Sequence, residues 1–194
     1  MGLFNFFGNK KMELSEFIPK FLQTIVSSKV LHDIPPDQFS ATEIEKIYKE
    51  LRLLRYILFY FFVSDSAKSG YIDGLTPQNK EIIDTIFDRS LEPLLLAGNS
   101  MDTLGEIKIA LQDYKSVADS KSYKDYAEKG YFYVVAHCLE RCGYKMPPER
   151  KNNVDPVTKE EGVFDMVNQT YLAMQEAFAK TVRNYPVYFE SNKV

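Results

Sequence analysis

The sequence predicts an all-α protein of about six helices, packed as an antiparallel bundle or an irregular helical array. Three observations carry this reading. Apolar residues recur at helical spacing in six separate segments, and helix-start signatures precede several of them. No segment alternates with period two for long enough to read as a strand, and no Asn-Gly or Asp-Gly turn sits between such runs.

Taken in order, the first helix lies within Leu14 to Leu31, with Phe17, Phe21, Leu22 and Ile25 on its apolar face. Pro19 lacks an N–H and fits best in a first helical turn, so the start is expected close to it. The second opens at Ser40-Ala-Thr-Glu43, a capping box in which the serine oxygen takes an early N–H and the glutamate reaches back to the cap. Ile44, Ile47, Leu51, Leu54, Leu58 and Phe61 follow at spacings of 3, 4, 3, 4 and 3, one helix face. Glu43, Lys46, Lys49, Glu50 and Arg52 fall mainly off it. From Tyr56 to Val63 the chain is apolar all round, which marks a central, enclosed element.

Thr76-Pro77 supplies a cap and a pre-set first residue for the third helix, which carries Ile82, Ile83, Ile86, Phe87 and Leu91. Pro93 should kink or end it. The fourth places Leu104, Ile107, Leu111, Tyr114 and Ala118 on one face between Met101 and Ala118. The fifth, Ser122 to Cys142, aligns Ala127, Tyr131, Val134, Cys138 and Cys142, and Gly143 is a natural C-terminal cap. The sixth is capped either by Asp155 with Pro156 behind it or by the box Thr158-Lys-Glu-Glu161. It shows Phe164, Val167, Tyr171, Met174, Phe178 and Val182 before Pro186.

Helices of 20 to 25 residues are roughly 30–37 Å long, against a radius of gyration of about 16 Å for a domain of this size. They must cross its width. No internal period of 20–50 residues exists, which argues against a solenoid. The expected organisation is an apolar and basic segment over 1–13, a single helical domain over 14–185 and an aromatic tail over 186–194.

Composition narrows the function classes. The 194 residues are 45% hydrophobic and 26% charged, an ordinary globular balance, with 24 basic and 27 acidic side chains. A net charge of −3 leaves no surplus of Lys and Arg for phosphate neutralisation, so nucleic acid is not an expected partner. Two cysteines suit a reducing compartment and exclude a disulfide scaffold, which fits a cytoplasmic protein.

The opening residues are apolar first and basic second, the reverse of a secretory leader, and Phe6 stands where myristoylation wants Ser or Thr. The longest apolar stretch, Leu51 to Val63, has 13 residues and includes Arg52 and Arg55. A membrane span needs about 20 mostly apolar residues, so no transmembrane segment is expected. Phe4 and Phe7, with Leu3, Phe6, Lys10 and Lys11, could instead rest on an anionic membrane surface or pack on a second copy.

Chemistry-bearing patterns are sparse. Asp65 to Thr76 partly imitates a calcium loop, with Asp65, Gly70 and Ile72 in register. However, Ala67 and Thr76 stand where two ligands belong, and a helix–loop–helix turn using Gly70 and Gly74 explains it better. His137, Cys138 and Cys142 cluster on one helix, and the two sulfurs share a face in a geometry open to a soft metal. They lack a fourth ligand for a closed tetrahedral site, and thiols on an apolar face usually pack. No Glu-x-x-His pair, phosphate-binding loop, dinucleotide fingerprint or nucleophile elbow is present, so neither cofactor nor metal is expected.

The unusual quantity is aromatic: 13 Tyr and 14 Phe with no Trp. Tyr185, Tyr188 and Phe189 cluster around Pro186 and must pack on the chain, pack on a partner or face water. These features favour a non-catalytic protein–protein interaction module, with a homodimer as one form of it. The alternatives are a peripheral membrane protein using the Phe/Lys segment and a small-ligand-binding helical domain.

Overall fold

The structure, a computed structural model, describes residues 11–28, 34, 38–69, 72–97, 102–118, 132–147 and 158–190. Among these residues there are six α-helices: α1 (Leu14–Ser27), α2 (Ala41–Ser69), α3 (Lys80–Ala97), α4 (Leu104–Ala118), α5 (Phe132–Cys142) and α6 (Lys159–Asn184). The protein is all-α. Among the described residues the extended ladder is β1 (Met12–Glu13) against β2 (Val187–Tyr188), two residues each and parallel.

Local chemistry accounts for the helix starts. Ser40 N–H donates to Glu43 Oε2 (2.7 Å) and Glu43 N–H donates to Ser40 Oγ (3.3 Å), the reciprocal box read from sequence. Of the two caps open for α6, Thr158 is the one used: its N–H donates to Glu161 Oε2 (2.7 Å), and Glu161 N–H donates back to its Oγ1 (3.3 Å). A third box, Thr103 with Glu106, starts α4. Thr76 leads through a single 3₁₀ turn, Pro77–Asn79, into α3. The C-terminus of α5 closes as a Schellman motif. Gly143 takes φ +96°, its N–H reaches the Glu140 carbonyl (2.9 Å), and Tyr144 N–H reaches that of Leu139 (2.9 Å).

The structure sharpens three readings of the sequence. Helix α1 begins at Leu14, five residues before Pro19. The bond proline forfeits is the one to the Ser15 carbonyl, near an exposed first turn where water replaces it. Of the two outcomes open at Pro93, a kink or an end, helix α3 does not end there but runs through to Ala97. Helix α2 continues to Ser69, so Asp65, read as lying between two helices, is itself helical, and Gly74 takes the positive φ expected of the turn. Residues 122–131, expected at the start of the fifth helix, lie outside the described residues, as does Gly70.

The chain divides into two compact units. Unit 1 comprises residues 1–29, 56–107 and 173–194. Its core is aromatic. Phe59 stacks on Phe21 with ring centroids 4.4 Å apart and planes 8° from parallel, and it also meets Phe17, Phe87 and Phe178 within 6.4 Å. Every residue from Tyr56 to Val63 is buried, as the all-round apolar pattern predicts. Helix α1 packs on α3.

The same unit holds the β1–β2 ladder, which an isolated bridge between Asp73 and Tyr188 extends. Phe189 N–H donates to the Asp73 carbonyl (2.7 Å), while Asp73 N–H donates to that of Val187 (3.1 Å). Gly74 turns the chain at φ +75°, and a Cβ there would stand 2.5 Å from the Phe189 carbonyl oxygen. Glycine is required on both counts. The ladder draws residues 12–13 and 187–189 into unit 1, although their sequence reads as terminal segment and tail.

Unit 2 comprises residues 30–55 and 108–172. Ile47, Leu51, Leu54, Val134, Leu139 and Val167 are buried in it, together with the charged group described next.

Candidate functional site

The strongest polar constellation lies within unit 2 and combines α2, α4 and α5. Arg141, in the last turn of α5, spans two carboxylates. Its Nε and Nη2 donate to Glu50 Oε2 (2.6 Å) and Oε1 (3.1 Å), a two-pronged pairing, and its Nη1 donates to Asp113 Oδ2 (2.6 Å). His137, one turn earlier on α5, meets the same Asp113 oxygen through Nε2 (2.9 Å). The imidazole edge stands on the Tyr114 ring, 4.7 Å away at 85°, and the Arg141 guanidinium lies over that ring at 5.8 Å. Glu50, Tyr114 and His137 are buried.

Electrostatics locks this arrangement. Burial works to raise the Asp113 carboxyl, but hydrogen bonds from His137 and Arg141 outweigh it and hold the group below its usual value. Asp113 is therefore ionised and can only accept, so Nε2 of His137 carries the hydrogen between them. Burial works to weaken the Arg141 cation, and Glu50 together with Asp113 more than reverses that. Tyr114 is wholly buried, which pushes its hydroxyl far up, and Cys138 beside it acts in the same direction. The Cys138 thiol is also held up strongly, first by its hydrogen bond with Cys142 and then by burial.

A second polar group lies in the same unit. Tyr144 donates to Glu43 Oε1 (3.0 Å), and Lys159 reaches the same oxygen (3.3 Å) while its ammonium lies 5.1 Å from the Phe39 ring centroid. The Phe39 and Tyr144 rings meet edge to face at 6.4 Å. Burial and then Glu43 push the Tyr144 hydroxyl up to about 12. This group joins the start of α2, the residue after the α5 cap and the start of α6.

Chemically, the Arg141 cluster pairs an aspartate with a histidine in an orienting arrangement. No activated nucleophile accompanies it, because the adjacent Cys138 is held as a thiol. The guanidinium already faces carboxylates on two sides, so an incoming anion would have to displace one of them. The arrangement acts as a clamp. Among the described residues, no three His, Cys, Asp or Glu side chains gather as a metal-binding set.

The residues singled out from sequence fare differently. Tyr185 and Phe189 are buried in unit 1 at 8% and 6% exposure, so their rings take the first of the three fates open to them, packing on their own chain. Phe189 lies on the same side of the extended segment as the buried Val187, and Tyr185 closes α6 with its N–H on the Thr181 carbonyl (2.9 Å). Tyr188 is half-buried. Phe4 and Phe7 lie outside the described residues. Cys138 and Cys142 are both buried one turn apart on α5, as expected of one helix face, whereas His137 turns to Asp113 on α4.

Sequence reasoning missed Glu50, Asp113 and Arg141. Glu50 was placed off the apolar face, yet it stands three residues after Ile47 and four before Leu54, on the stripe's edge. Asp113 and Glu50 lie 28 and 91 residues from Arg141, and no local pattern joins groups that distant. No family model matches the chain, and no curated protein or solved structure matches it either. No helix among the described residues is long and apolar enough to cross a membrane.

Proposed function

We propose that this chain is a non-catalytic helical module that works by binding protein, a second copy of itself being the first partner to test. One contrast carries the reading. Ionisable side chains of catalytic type are engaged with one another in the Arg141 cluster, whereas large apolar side chains stand in water: Leu96 on α3 at 75% exposure, Ile109 on α4 at 72% and Leu172 on α6 at 50%. Exposed apolar anchors of this size suit contact surfaces, and a two-fold pairing is the commonest symmetry for self-association.

The test is sedimentation equilibrium over a wide concentration range. Self-association is expected, and Ile109→Asp or Leu96→Asp should weaken it at least tenfold, a loss of about 1.4 kcal/mol, without lowering the melting temperature. A concentration-independent monomer would overturn the reading.

A further inference from the structure

We propose that Cys138 and Cys142 form a two-coordinate site for a soft monovalent metal ion of the Cu(I) class. Both thiols are free, buried and one turn apart on α5, so their side chains lie on one helix face. A second observation points into the same place. The Tyr114 hydroxyl, on a residue with no exposed surface, has no conventional hydrogen-bond partner among the described residues, and its polar neighbour is the Cys138 thiol. A buried hydroxyl donor beside two sulfurs is suited to a thiolate that forms only when a cation arrives.

Geometry selects an ion over a disulfide. Residues four apart on a helix hold their Cβ atoms roughly 5–6 Å apart, whereas a disulfide needs roughly 3.5–4.5 Å. Oxidation would therefore unwind the turn. Two metal–sulfur bonds of roughly 2.3 Å, the length of zinc thiolates, hold sulfurs about 4.6 Å apart in line, which a helical turn spans intact. Chemistry selects the ion. Zinc wants four ligands, which these residues do not supply, while thiolates favour soft Cu(I).

Binding is an exchange without redox. Two S–H bonds break, two metal–sulfur bonds form, and two protons leave to solvent, giving a bis-thiolate of charge −1. The Tyr114 hydroxyl donates to one sulfur, while the Glu50 carboxylate opposes charge on Cys138, so the cation itself must supply the compensation.

The experiment titrates the reduced full chain with Cu(I) against bicinchoninate as competing chelator. One equivalent should be retained, with affinity falling about 100-fold for each unit of acidification, since two protons are displaced. Cys142→Ala should weaken binding by on the order of 100-fold through loss of the second tethered ligand. Tyr114→Phe, which keeps both sulfurs, should weaken it about tenfold. Copper-edge absorption of the wild-type complex should show two sulfur ligands and no nitrogen or oxygen. Failure to retain copper against the chelator, a Cys142→Ala chain that binds as tightly as wild type, or a different first shell would each overturn the proposal. The absorption measurement decides even where a cysteine variant does not fold.

Discussion

The two units organise their interiors with opposite chemistry. In unit 1 the centre is a set of phenylalanine rings around Phe59, held by contact area and ring geometry. In unit 2 the buried Glu50 and His137 pair with the half-buried Arg141 and Asp113 beside Val, Leu and Ile. The difference teaches how each tolerates change. Rings packed on rings lose stability in proportion to the volume removed. A buried ion group costs much desolvation to assemble, so its net contribution is small. Removing a single member is nevertheless severe, because the other charges stay buried without compensation.

The largest effect expected is at Phe59. Phe59→Ala should lower the urea unfolding free energy by about 4 kcal/mol, with little dependence on salt. A loss below about 1 kcal/mol would show that the rings around it collapse into the gap, and the contrast between the units would fail.

Next comes Arg141. Arg141→Ala should cost about 3 kcal/mol, since Glu50 then remains buried without its two-pronged donor. Replacing both partners together, Arg141→Met with Glu50→Met, should return stability to within about 1 kcal/mol of wild type. If the double variant is as damaged as the single one, the ion group contributes net stability and the comparison must be redrawn.

The smallest effect is an acid limb at Glu43. The Ser40 N–H, with the Ser40 and Tyr144 hydroxyls, holds the Glu43 carboxyl near 2 against an ordinary value of 4.5. Its folded value is depressed, so its contribution is intact above pH 4.5 and fades as the pH falls from 4.5 towards 2. Glu43→Gln should flatten that part of the stability–pH curve. An unchanged curve would mean that the box adds nothing in acid.

How much of this the sequence shows follows from the range of each interaction. Capping boxes join residues three apart, so Ser40 and Thr158 announce their helices. The all-round apolar run from Tyr56 to Val63 announces its burial in the same way. Pro19 and Pro93 both sit inside their helices, because proline's local cost is outweighed when the rest of the helix packs well: Leu14, Phe17 and Ile18 are buried before Pro19, and Leu95 is buried beyond Pro93. The Arg141 cluster is illegible because its members are brought together only by the tertiary packing of three helices. The burial of Phe189 is hard to read for a related reason: a two-residue ladder leaves no periodic trace in the sequence.

That short ladder also bears on the order in which the chain assembles during synthesis. Met12 and Glu13 acquire their partners only when Val187 and Tyr188 emerge, and Phe178 must likewise wait before it reaches Phe17, Phe21 and Phe59. Between Ile107 and Ala173 the ribosome is making unit 2, an interval of roughly 3–13 s at ordinary elongation rates. Throughout it the early phenylalanines are complete but uncovered on one side. A nascent chain of this protein therefore carries a sticky aromatic face for seconds, a state that chaperones shield and that favours slow, late closure by contacts of very high sequence separation.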